Sequence, residues 1–141
     1  MEMVFVRHGE PDWVPGGLAV NDPGLTPLGH AQACRLAEHF KGSYFDALWV
    51  SPARRAQETC QPICDALESS AETFDWLVEA GTPDWTGHSA QAVQELIVGS
   101  RKRPVDAWWS GLPGGEAITG FVSRISEGLD ESLASLGAER G

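Results

Sequence analysis

"FVRHGEPDW", residues 5–13, decides how the rest of the chain is organised. The apolar run Val4-Phe5-Val6 stops abruptly at Arg7, His8, Gly9 and Glu10. A short apolar run bounded by turn residues is the pattern of a strand, here about residues 2–6. Its carboxyl end delivers a cation, an imidazole and a carboxylate. A Gly- and Pro-rich loop follows, "GEPDWVPGGLAVNDPG" (residues 9–24).

Working outward from that strand, the pattern alternates. Thr26-Pro27 predicts a helix start, an N-cap residue followed by proline at the first helical position. Ala33, Leu36, Ala37 and Phe40 give that helix an apolar face, and Lys41-Gly42 closes it. "YFDALWV" (44–50) is the second expected strand. Ser51-Pro52 predicts the next helix, with Ala53, Ala56, Cys60, Ile63 and Leu67 inward and a kink or restart at Pro62. "ETFDWLVEA" (72–80) is a third strand candidate. An amphipathic stretch around Ala92, Val93, Leu96 and Ile97 precedes the breaker "GLPGG". A last helix is expected over about residues 116–136, with Ile118, Phe121, Val122, Ile125, Leu129 and Leu133 on one face. Strand and helix in alternation predict an α/β fold, with a parallel sheet covered by helices.

Composition bounds the function. The 141 residues, 42% hydrophobic and 21% charged, suit one globular domain over 1–141. Ten Lys plus Arg against twenty Asp plus Glu give a formal charge of −10, which makes nucleic acid and anionic membrane poor partners. No run approaches a membrane span and no leader pattern precedes the first strand, so a cytoplasmic location is expected. The one basic run, Arg101-Lys102-Arg103, follows a helical stretch whose C-terminal dipole favours cations. Cys34, Cys60 and Cys64 lack CxxC spacing and suggest neither a disulfide framework nor a zinc site. Cys60 and Cys64 share one helix face as small apolar residues.

Functional groups in parallel sheets collect past the carboxyl ends of the strands. Arg7 and His8 follow the first expected strand, Arg54 and Arg55 the second, and Glu79 ends the third. A neutral imidazole is a competent nucleophile toward phosphorus when the phosphate charge is neutralised. The guanidinium fork matches phosphate oxygens. A nearby carboxyl group can give a proton to the leaving oxygen and take one from water.

"VRHGEPDW" resembles the first signature of the histidine phosphatase superfamily, the phosphoglycerate mutase-like branch 1. "LTPLGHAQA" (25–33), "SPARRAQET" (51–59), "LVEAGTPDWTG" (77–87) and "GGEAITGFVSRI" (114–125) are similar to its later segments, in the same order. The resemblance implies a three-layer α/β sandwich with a mainly parallel sheet. It makes His8 the phosphorylated nucleophile, Arg7 and Arg55 the phosphate clamp, and Glu79 the proton donor and acceptor. Arg54 becomes a structural or rim residue. It implies a small phosphorylated substrate and no metal or other cofactor, since arginine charge does what magnesium does elsewhere.

Two departures qualify it. Mutases of the family usually carry Asn after the signature Trp, whereas Val14 follows Trp13 here. That favours a phosphatase over a phosphoglycerate mutase-like enzyme. The family also uses a second histidine in a late strand, and the last histidine here is His88. His30 and His39 are expected at the surface. The expectation is a C-terminally incomplete domain, missing its late strand or strands. Such a chain would be prone to self-association through open sheet edges. A non-catalytic phosphate-binding or interaction module is the alternative.

Overall fold

Thr26 caps the first helix as its sequence predicts. In the computed structural model, which describes residues 1–139, the Gly29 N–H donates to the Thr26 hydroxyl oxygen at 3.0 Å and helix α1 runs Pro27–Phe40. Gly29, Ala33 and Ala37 form its buried row. Small residues at this spacing let α1 lie close against α2, Arg54–Leu67. Helix α2 starts later than Ser51-Pro52 predicts. Its cap comes from elsewhere: Asp22 Oδ1 accepts from the Arg54 N–H at 2.8 Å, while Ser51 Oγ accepts only from Ala53 at 3.3 Å. Ile63 is buried as predicted, but the rest of the deepest row of α2 is Arg55 and Thr59, while Ala53, Ala56, Cys60 and Leu67 are half-buried. Pro62 lies inside the helix, which continues across it.

Strands β1 (Trp49–Val50) and β2 (Glu72–Thr73) flank α2 and pair in parallel, Trp49 with Glu72 and Val50 with Thr73. The parallel pairing agrees with the α/β reading, but the ladder is far shorter than the runs 44–50 and 72–80 suggested. After β2 the chain turns into a 3₁₀ segment, Asp75–Leu77, because Trp76 is taken up by a helix described below. The expected first strand is also corrected. Residues 2–6 lie outside every named strand, and Phe5 is 84% exposed. Apolar content favours an extended chain, but a strand exists only through a ladder partner, and none pairs with this run among the described residues.

Two compact units divide the chain. The first comprises Met1–Trp13 with Asp22–Phe74, and the second comprises Val14–Asn21 with Asp75–Gly141. In the second, α3 (Ala90–Arg101) is capped by Ser89, whose hydroxyl oxygen accepts from the Ala92 N–H at 3.2 Å. Arg101 falls in its last turn as the dipole favours. A 3₁₀ segment, Val105–Ser110, leads toward α4, Ile118–Glu139. The buried residues of α4 are Gly128 and Ser132. The Trp76 side chain packs against Gly128, where an added Cβ would collide with it, and Trp76 Nε1 donates to Ser132 Oγ at 3.1 Å. Ile118, Phe121, Ile125, Leu129 and Leu133 share the covered face as expected, but Val122 is exposed.

Glu58 ties the first unit together. Its carboxylate accepts from the Leu25 N–H and from Arg54 Nε, each at 2.7 Å, and His30 Nε2 stands 3.6 Å away. Arg54 thus commits its guanidinium to Glu58. The Leu25 hydrogen bond first, then Arg54, hold the Glu58 carboxyl below its ordinary pKa. A depressed carboxyl contributes stability present above its unfolded pKa and lost as pH falls through the folded one. Glu58→Gln should therefore cost about 1–2 kcal/mol at neutral pH. The difference from the parent should shrink below the usual glutamate range. Urea titrations at neutral and strongly acidic pH test this; a pH-independent difference would mean the charge contributes nothing.

Candidate active site

Gly9 fixes the His8 segment against two helices at once. Its N–H donates to Thr59 Oγ1 at 3.0 Å, and Thr59 Oγ1 in turn donates to the Arg55 carbonyl at 2.7 Å. A methyl group at Gly9 would stand 2.5 Å from the Gly29 carbonyl oxygen. The backbone of α1 therefore occupies the space a side chain would need, and glycine is required there by packing. Glu10 continues the anchoring. Its N–H donates to Gln32 Oε1 at 2.8 Å, its carbonyl accepts from the Thr26 N–H at 2.9 Å, and its carboxylate accepts from the Thr26 hydroxyl at 2.7 Å.

The result is a cavity of about 510 Å³ with Arg7, His8, Gly9, Glu10, Gln32 and Thr59 among its walls. His8 Nδ1 lies 2.8 Å from the Gly9 carbonyl oxygen. A carbonyl oxygen only accepts, so this contact requires the proton on Nδ1. In the neutral ring Nε2 then carries the lone pair. Tautomer and ring orientation follow from one backbone contact.

Arg7 and His8 are thus brought into one cavity. Arg55 is not among its lining residues; it is 7% exposed, with its guanidinium carbon 4.9 Å from the centre of the Trp13 ring. It shares the buried α2 row with Thr59 and reaches the His8 segment through the Thr59–Gly9 link. Glu79 belongs to the second unit and is exposed. Its segment is held by Arg124 of α4, which donates from Nη1 to the Trp76 and Val78 carbonyls at 2.7 and 2.9 Å. Arg124 grips both Glu116 oxygens, at 3.0 and 2.8 Å, and Glu116 accepts from the Gly81 N–H at 3.1 Å. The hydrogen bonds from Arg124, then Gly81, hold the Glu116 carboxyl below its ordinary range.

Thr59, Gln32, Trp13, Arg124 and Glu116 were not singled out from sequence. Thr59 had one usable signal, its position four residues after Arg55, which places both on one helix face. Among the described residues no group of three or more His, Cys, Asp or Glu side chains could hold a metal ion.

The model of the histidine phosphatase superfamily (branch 1) matches residues 3–140. The chain belongs to that superfamily. It is 27% identical over 134 residues to phosphoserine phosphatase 1 of Hydrogenobacter thermophilus, covering 93% of this chain and 64% of that protein. Over 72 residues it is 43% identical to the 2,3-bisphosphoglycerate-dependent phosphoglycerate mutase of Brucella anthropi, covering 48% of this chain and 35% of the mutase. Among solved structures, a mycobacterial glucosyl-3-phosphoglycerate phosphatase in complex with inorganic phosphate superposes with a TM-score of 0.69 at 26% identity. That match covers 91% of this chain and 60% of the phosphatase. The chain therefore spans less than two thirds of the length of these relatives. The superfamily carries the α/β, phosphoglycerate mutase-like fold expected from the sequence, here with a small parallel sheet.

Proposed function

We propose that the chain belongs to a phosphatase that hydrolyses a small phosphate monoester through a phosphohistidine on His8. The observation that carries this reading is the His8 ring, fixed by the Gly9 carbonyl with Nε2 as its basic nitrogen, in a cavity shared with Arg7. In the first step the Nε2 lone pair bonds to phosphorus and the P–O ester bond breaks. Glu79 gives its proton to the leaving oxygen. In the second step water bonds to phosphorus, Glu79 takes a proton from it, and the P–N bond breaks to regenerate His8. Arg7 and Arg55 stabilise the charge of the transferring group. The names of the phosphoserine and glucosyl-3-phosphoglycerate phosphatases support a small phosphate ester as substrate. The chain's free cysteines agree with a reducing cytoplasm.

The test is release of phosphate from a chromogenic aryl phosphate, together with rapid acid-free quenching to trap phosphohistidine. Saturable phosphate-analogue binding without turnover would instead favour a binding module. Phosphoryl transfer in a mutase-like reaction is a second reading, favoured by the 43% local identity to the phosphoglycerate mutase. Transfer of the label to an added phosphoglycerate rather than to water would establish it.

Glu79→Gln should slow hydrolysis of alkyl phosphates by roughly 10²-fold or more, the usual worth of a positioned acid. Aryl phosphates, whose leaving groups need little protonation, should be affected less. Equal loss on both would move the role to Glu10, which lines the His8 cavity, or to Asp84.

Self-association is expected through the run at residues 2–6, where exposed Val4 and Phe5 accompany backbone groups that pair in no ladder among the described residues. Sedimentation of the parent and of a Phe5→Lys variant measures it. A chain that is monomeric at high concentration would remove this surface from consideration.

A further inference from the structure

Cys60 and Cys64 lie outside the machinery described so far. They are four residues apart on α2, both half-buried, and their sulfur atoms stand 3.5 Å from each other. We propose that Cys60 and Cys64 form a dithiol site that captures a trivalent arsenical, one arsenic atom bonded to both sulfurs.

Geometry selects a one-atom bridge over a direct disulfide. A disulfide needs Cβ atoms about 3.5–4.5 Å apart. Residues at i and i+4 of a helix hold theirs at roughly 5–6 Å. Closing an S–S bond would therefore compress the turn. Bonds of about 2.3 Å, the length of a zinc–sulfur bond, meeting at angles between right and tetrahedral, set two sulfurs roughly 3.3–3.8 Å apart. The observed spacing lies in that interval with the helix intact.

Chemistry then selects arsenic over a metal cation. Zinc requires about four ligands and deprotonated sulfur. Among the described residues no third His, Cys, Asp or Glu completes such a set. Burial, and then the neighbouring Cys64 thiol, push the Cys60 thiol up to about 12, so releasing both protons to a metal is costly. A trivalent organoarsenical carries its own proton acceptor. R–As=O and two S–H groups give R–As(S)₂ and one water, with both As–S bonds formed, the As=O bond broken and no net proton or electron released. The third position on arsenic remains with its organic group, so two protein sulfurs suffice.

The probe is phenylarsine oxide added to the full chain. The expected product is a one-arsenic adduct with loss of two titratable thiols, unchanged helical circular dichroism, resistance to excess glutathione and release by dithiothreitol. Resistance to a monothiol marks two-point attachment. Cys60→Ser and Cys64→Ser should each lose that resistance by at least 100-fold in release rate, and Cys34→Ser should keep it. A parent adduct released by glutathione, or a resistant adduct persisting in Cys64→Ser, overturns the proposal.

Discussion

Replacing His8 with alanine is expected to remove any phosphoryl label on the chain and to lower turnover by roughly 10⁴-fold or more, as loss of a nucleophile does elsewhere. The stability of the fold should barely change. The His8 ring is only partly buried, and among the described residues its one hydrogen bond joins it to the adjacent Gly9 carbonyl. Such a contact between chain neighbours contributes about 1 kcal/mol at most. The anchoring of the segment runs instead through backbone groups, Gly9 N–H to Thr59 and Glu10 N–H to Gln32, which alanine leaves untouched. Chemistry and folding are therefore separable at this position. A His8→Ala chain that unfolds at the parent temperature yet carries no label supports the nucleophile. A label that persists in the variant would move the phosphoryl acceptor to another residue, and His88 or His30 would have to be examined in turn.

How much was legible in the sequence depended on whether each signal was local. Thr26-Pro27 carries its whole instruction within four residues, and α1 begins where it says. Helix α2 begins three residues after Ser51 because its cap, Asp22, lies 32 residues upstream and no window on "SPARR" contains it. Apolar periodicity found Ile63 but missed Arg55 and Thr59 of the buried α2 row for a related reason. Arg55 and Thr59 are polar, and they face inward only because the segment with Trp13 and Gly9 lies over them. Residues 2–6 show the opposite failure, since a local strand pattern was present and no ladder partner pairs with it among the described residues. At the site, Arg7 and His8 were legible because adjacency in sequence makes them neighbours in any fold. The support of Glu79 was not, because Arg124 reaches Trp76 and Val78 from 48 and 46 residues away.

Arg55 offers the second large effect, and the balance between lost activity and lost stability separates two roles. A cation that is 7% exposed has lost most of its hydration, which costs several kcal/mol before any compensation. Stacking on Trp13 at 4.9 Å offsets about 0.5–2 kcal/mol of that cost. Replacing a whole buried ion pair by apolar side chains is often neutral or stabilising, whereas removing one charge from its partners is destabilising. If Arg55 is retained chiefly to bind the transferring phosphoryl group, Arg55→Met should lose activity far out of proportion to any change in its unfolding temperature. Its kcat/KM should then fall by roughly 10²–10³-fold, the usual worth of one charge aimed at a developing anion. Arg55→Lys should keep the charge but lose the planar fork and its stacking, and so recover only part of the activity. Inorganic phosphate should protect the parent against thermal unfolding and protect Arg55→Met far less. A methionine variant that is several degrees less stable and still protected by phosphate would show that Arg55 holds the fold, and Arg7 alone would then have to carry the anion.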